Sequence, residues 1–358
     1  MSKKLQITLT TSFTLLEQFQ QAISSHTGDI ASAELSGKDA LPLLSASSTA
    51  LRAQVTKLSL VTITSPFTPS AVTTVLAALN ESVLPSLATA ALLVTPAEHT
   101  KAFQNEVHVL AKTALKEIAA LLQEVQVAAN KKESGLSQPE KDAVTVAAGR
   151  LWDSCDTIID IAAKGVVGFV VRRVEEWRDL VRDAVREIEE WDPDEEGDEF
   201  FDELLSDDEK NDDESDGTDD DEDTAALHAQ KKSTLRLLKP LSQIYSAIIA
   251  YRLKKAPQNL TIIDRLESLM DHLQNIPGYV DEIAGALYEA DLERSVQFLS
   301  KAKSCAVKAV DLAALPWDVV DGAESQQEKE DKFTVWSQTW SKVLVEVSKS
   351  VWDPTQST

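Results

Sequence analysis

The chain of 358 residues carries 59 acidic and 35 basic side chains, a formal net charge of −24. That balance argues against a protein that wraps DNA or tracks phosphates, since such surfaces need clustered Lys and Arg. Two cysteines exclude a disulfide-stapled scaffold and fit a reducing compartment. The charge is also unevenly placed. Between Asp192 and Asp223 there are 20 acidic residues and one basic residue, Lys210, a net −19 that leaves −5 on everything else. With Pro193, Gly197, Gly217 and many Ser, Asn and Thr, this stretch cannot bury enough apolar surface to offset its ordering entropy, so a disordered acidic insert is expected.

Along the rest of the chain the apolar period is helical. Leu5, Ile7 and Leu9 alternate as in a strand, whereas Phe13, Leu16, Phe19 and Ile23 keep helical spacing. A lone strand has no partner, so a helix is expected from about Thr10. Helices follow over 42–64 and 70–94, separated by Ser65-Pro66-Phe67-Thr68-Pro69. The next runs from about Ala97 to Ala129, with Thr95 as cap, Pro96 in first position, and Phe103, Val107, Leu110, Ala114, Ile118, Leu121, Val125 and Ala128 as its seam. Pro139 opens a helix to about Ala163. Val167, Val170, Val174, Trp177, Val181, Ala184, Ile188 and Trp191 then advance in alternating steps of 3 and 4, all on one helical face.

After the insert, helices are expected over 224–255 with Pro240 as a kink, then 259–274, 277–288, 291–313 and 327–351. The last has Phe333, Trp336, Trp340, Leu344, Val347 and Val351 on one face, and Glu328, Glu330 and Asp331 favour its start. The expected fold is all-α: two helical bundles, 1–191 and 224–358, separated by an acidic linker at 192–223. No run of 18 apolar residues occurs, and no membrane span is expected.

Chemistry is sparse. Neither GxGxxG nor GxxxxGK[ST] occurs. Cys155, Cys305 and five scattered His lack zinc-ligand spacing. A flexible acidic run cannot hold two carboxylates at the fixed separation that glycoside hydrolysis needs. Catalytic residues, metal and cofactor are all expected to be none. Cys155 reads as a small buried thiol.

Three features of the insert and its flank go beyond a linker. Phe200/Leu204 and Phe201/Leu205 stand at i, i+4 inside the acidic run, an element able to fold into a partner groove. Ser206 and Thr218 are followed by acids, the pattern of acidophilic phosphorylation sites. The 40 residues from Thr224 to Ile263 contain Lys231, Lys232, Arg236, Lys239, Arg252, Lys254 and Lys255 and no acid, a candidate basic face that the −19 stretch could mask.

Over Arg150 to Pro193 the chain resembles a fungal-type member of the cyclin-D-binding protein family, also called GCIP. Leu151-Trp152-Asp153-Ser154-Cys155 is similar to the family's Trp-x-x-Cys helix, and Glu189-Glu190-Trp191-Asp192-Pro193 to its acidic helix end before Asp-Pro. The order of helices, acidic insert and further helices extends the likeness over most of the chain. The resemblance implies an all-helical fold of two bundles of the vinculin and catenin kind. It further implies a non-enzymatic role in binding D-type cyclins and helix-loop-helix or adaptor proteins, restraining the cell cycle from nucleus and cytoplasm. The alternatives are a helical scaffold or adhesion-type adaptor, and an acidic chaperone for basic proteins such as histones, driven by 192–223.

Overall fold

The structure is a computed structural model that describes residues 1–25, 40–131, 135–194, 219–257, 262–314, 317 and 331–352. The fold is all-α, and among the described residues there is no strand. Packing divides the chain into two compact units: residues 1–169 with 258–267, and 170–257 with 268–358. The composition-based division falls instead at the acidic run, so the two schemes assign 170–191 and 258–267 differently.

In the first unit, α1 spans Lys3–Ser25. It begins seven residues before the expected start because the Leu5–Leu9 alternation is helical: Leu5, Leu9, Ser12, Leu16 and Ile23 are buried while Ile7 is exposed. α2 (Ala40–Ile63) buries Leu44, Leu51, Val55 and Leu58. α3 (Pro69–Ala78) continues through a π-helical turn, Leu79–Val83, into α4 (Leu84–Leu93). The wide turn lies just before Pro85, which has no N–H to donate to the carbonyl four residues back and whose ring crowds it. Together α3 to α4 are long and apolar enough to cross a membrane by length and composition. Here Val72, Leu76, Leu79, Leu84, Leu87, Ala90 and Ala91 are buried, with α1 and α2 packed on α3 and α4, and α6 on α4.

The helix expected from Ala97 is interrupted. α5 is a single turn, Pro96–His99, and α6 starts afresh at Lys101 and runs to Asn130. Thr100, at φ 66°, separates them, and its hydroxyl accepts from the Phe103 N–H at 3.2 Å. That cap satisfies one of the orphan donors a new helix start creates. Two side chains of α6 reach back to carbonyls of the preceding segment, Gln104 Nε2 to Val94 O at 2.9 Å and His108 Nε2 to Ala91 O at 3.1 Å. The α6 seam is buried as its spacing requires, apart from half-buried Leu110.

α7 (Gln138–Glu190) starts with one half of a capping box: the Ser137 N–H donates to Glu140 Oε2 at 2.9 Å, and the Ser137 hydroxyl donates to the same oxygen at 2.7 Å. Gly165, at φ 63° and ψ −169°, is its one non-helical residue, a conformation essentially reserved for glycine. Before it, Val144, Ala148, Leu151, Cys155 and Ile158 are buried. After it, within the second unit, Val170, Val174, Val181, Ala184 and Ile188 are buried, and Trp177 and Trp191 are half-buried.

The remaining helices of the second unit are α8 (Asp219–Tyr251), α9 (Ile263–Leu273), α10 (Asn275–Tyr288), α11 (Leu292–Ala314) and α12 (Lys332–Trp352). α9 starts in the first unit and passes into this one at Ser268. α8 is the hub, with α10, α11 and α12 against it. It contains Pro240, whose carbonyl accepts the Trp340 indole N–H at 2.8 Å. Tyr245 is fully buried and donates its hydroxyl to Leu273 O at 3.0 Å.

Candidate partner-binding surface

The end of α7 and the beginning of α8 border the acidic stretch from either side, and the second unit holds them together. Lys231 of α8 donates its ammonium to the carbonyl oxygens of Glu189, at 3.1 Å, and of Trp191. These are the terminal carbonyls that a helix end leaves without amide partners, where a cation is favoured. The same ammonium stands 5.9 Å from the Trp191 ring centroid. Lys239 pairs with Glu189 at 2.6 Å and His228 with Asp194 at 3.0 Å. The two flanks of the −19 stretch therefore emerge side by side.

Beside this clasp lies a shallow groove lined by Glu187, Glu190, Trp191 and Tyr288. Trp191 and Tyr288 meet edge to face, their centroids 5.0 Å apart at 70°. The Tyr288 hydroxyl donates to Glu187 Oε1 at 3.1 Å. Burial, aided by the Glu187 charge, pushes the Tyr288 phenol up to about 12. Asp281 is also held above the ordinary carboxylate range, first by burial and then by the charges of Glu187 and Glu282. The groove thus combines an aromatic pair, 41 % exposed at Tyr288, with a rim of mutually repelling carboxylates. Aromatic anchors in a polar rim are what a protein interface needs.

The expected basic face is not a single surface. Lys232, Arg236 and Lys254 are exposed, and Lys231 and Lys239 belong to the clasp. Arg252 is a correction: it is only 4 % exposed. Its Nε donates to Ala313 O at 2.6 Å, Nη2 to Ala314 O at 3.1 Å, and Nη1 to Asp331 Oδ2 at 2.5 Å. Its guanidinium lies 4.6 Å from the Phe333 centroid. Nothing in the local sequence signals this, because Asp331 is 79 positions away. Phe200, Phe201, Leu204, Leu205, Ser206 and Thr218 lie outside the described residues. Tyr288 gave no sequence signal beyond its place at the end of α10.

Nucleophilic chemistry has little footing at Cys155, which is buried, its thiol pushed up to about 12 by burial and then by Asp156. Among the described residues, Asp192, Asp194 and His228 bring ligand atoms within 4.8 Å of one another, all three exposed. They could hold a divalent cation loosely, one donor short of a closed tetrahedral site.

No curated protein matches the chain. The family described as Grap2 and cyclin-D-interacting, N-terminal, matches residues 43–194, from the first turn of α2 to the Asp194 that pairs with His228. Over Leu43 to Asp194 the chain is therefore similar to the Grap2 and cyclin-D-interacting family.

Proposed function

We propose that the chain is a non-enzymatic interaction protein that binds a D-type cyclin or a helix-loop-helix partner and restrains cell-cycle progression and transcription, in nucleus and cytoplasm. The family match over 43–194 carries this reading. The aromatic groove at the end of that segment supports it, with Trp191 and Tyr288 as contact residues. Residues 192–223 act in this reading as a charged arm that steers a partner toward the groove, an effect that weakens with ionic strength.

The test is affinity purification from the protein's own cells, using the intact chain and a variant lacking 195–218. Recovery of a cyclin with both forms supports the proposal. Recovery of basic proteins such as histones with the intact chain alone, and of no cyclin with either, replaces it with the acidic-chaperone reading, which the −19 charge of 192–223 favours.

A further inference from the structure

The aromatic groove lies where α7 and α10 end, at Glu190 and Tyr288. The backbone there is already satisfied. Lys231 takes up the carbonyls of Glu189 and Trp191, and the turn after α10 takes up those of Gly285, Ala286 and Leu287. The side-chain acids are only partly answered. Arg294 pairs with Glu282 at 2.5 Å and with Glu289 at 2.8 Å, and Lys239 with Glu189 at 2.6 Å. Among the described residues, Glu187, Glu190 and Asp281 have no ion-pair partner. Burial first, and then the charges of Glu187 and Glu282, hold the Asp281 carboxyl above its ordinary range, so α7 and α10 bring like charges together here.

There is room beside these acids for a side chain. Asp281, Gly285 and Tyr288 follow one another at steps of four and three on one face of α10. A Cβ at Gly285 would meet nothing within 4 Å, which leaves open space between the Asp281 and Tyr288 positions. Tyr288 is exposed beside that space, and its hydroxyl is fixed on Glu187.

Resting on the partner-binding reading above, we infer that this groove takes an arginine side chain of the partner protein, laid against the Tyr288 ring with its N–H groups shared between Glu187 of α7 and Asp281 of α10. Charge complementarity selects a cation, and the exposed ring selects among cations. A guanidinium is planar and weakly hydrated, stacks on an aromatic face and can donate to two carboxylates at once. An ammonium is a compact, strongly hydrated charge, which keeps its water in so open a groove. The net −19 of 192–223 has the same sign as the groove and attracts the same kind of partner surface.

The test uses the full chain labelled with 15N at its tryptophan indoles. It is titrated at constant ionic strength with the blocked peptide Ala-Ala-Arg-Ala-Ala, and with the same peptide bearing Lys or the uncharged citrulline in place of Arg. The Trp191 indole signal, identified by its absence from Trp191→Phe, should shift saturably with the Arg peptide, about threefold more tightly than with the Lys peptide, and not with citrulline. Glu187→Gln/Asp281→Asn should weaken the Arg peptide about tenfold, and Tyr288→Leu should erase the preference for Arg over Lys, with circular dichroism unchanged in both. Equal affinity for the Arg and Lys peptides, a citrulline peptide that binds as well, or full affinity in Glu187→Gln/Asp281→Asn overturns the inference. Binding of a D-type cyclin to the same proteins separates the two readings. A cyclin held equally by the wild type and by Glu187→Gln/Asp281→Asn, with no response to the Arg peptide, removes the arginine and leaves the proposed function standing. An Arg peptide that binds as described while no cyclin does upholds the arginine site and removes the cyclin.

Discussion

Two sets of polar contacts in the second unit look alike on paper and differ in consequence. At Arg252, a cation takes up the last carbonyls of α11 and an aspartate, and is nearly excluded from water. On the surface, Lys231 takes up the last carbonyls of α7, while Lys239 and His228 each meet an acid. Each joins segments distant in sequence. The buried set fixes the packing of α8, α11 and the start of α12, because removing one member strands charges and carbonyls away from water. The surface set exchanges readily with solvent, which suits a place where a partner is to dock.

The largest expected effect is at the buried set. Arg252→Met should lower stability by about 3–5 kcal/mol, because Asp331 and two carbonyls lose their donor. A urea unfolding curve of the full chain followed by circular dichroism measures this, and a loss under about 1 kcal/mol would make the two sets equivalent. Asp331→Asn keeps the shape and removes the charge, so the loss should be about 1–3 kcal/mol.

Acid sharpens the contrast further. Burial pushes the Asp331 carboxyl up, but the Arg252 guanidinium and the N–H and hydroxyl of Thr334 outweigh it and hold the group at about 2. A folded pKa below the unfolded value means stabilisation present above the ordinary carboxylate range and lost as pH falls through it toward about 2. The wild-type chain should therefore lose more stability than Asp331→Asn across that window, measured as the difference between their urea midpoints. Parallel loss in both would contradict the assignment.

At the surface set, Lys239→Ala should cost no more than about 1 kcal/mol, and less in high salt. His228→Ala should be smaller still, a few tenths of a kcal/mol at most, since both His228 and Asp194 are exposed.

What the sequence made legible follows the reach of its signals. The seams of α6 and of α7 after Gly165 are periodic, so their buried residues could be read directly, Val174, Val181 and Ile188 among them. The start of α1 was hidden because Leu5, Ile7 and Leu9 suit a strand as well as a helix until packing exposes Ile7. Thr100 was hidden because a run of helix formers gives no warning of a positive φ that tertiary bonds from Gln104 and His108 accommodate. Arg252 counted among the surface basics because composition records charge but not the Asp331 that meets it 79 positions on. The groove is of the same kind: Trp191 stood on a seam, while Tyr288 joins it only through the packing of α10. Phe200 to Leu205 were legible as a motif, and their role rests on the binding experiment.

The measurement that bears most directly on a partner-binding role is the affinity of a D-type cyclin for the intact chain and for Trp191→Ala/Tyr288→Ala, by calorimetry at physiological salt. Loss of two aromatic anchors should weaken binding by about 2 kcal/mol or more, at least thirtyfold, with the fold intact. Equal affinity for the two forms would place the cyclin elsewhere on the chain, and no binding by either would contradict the proposed function.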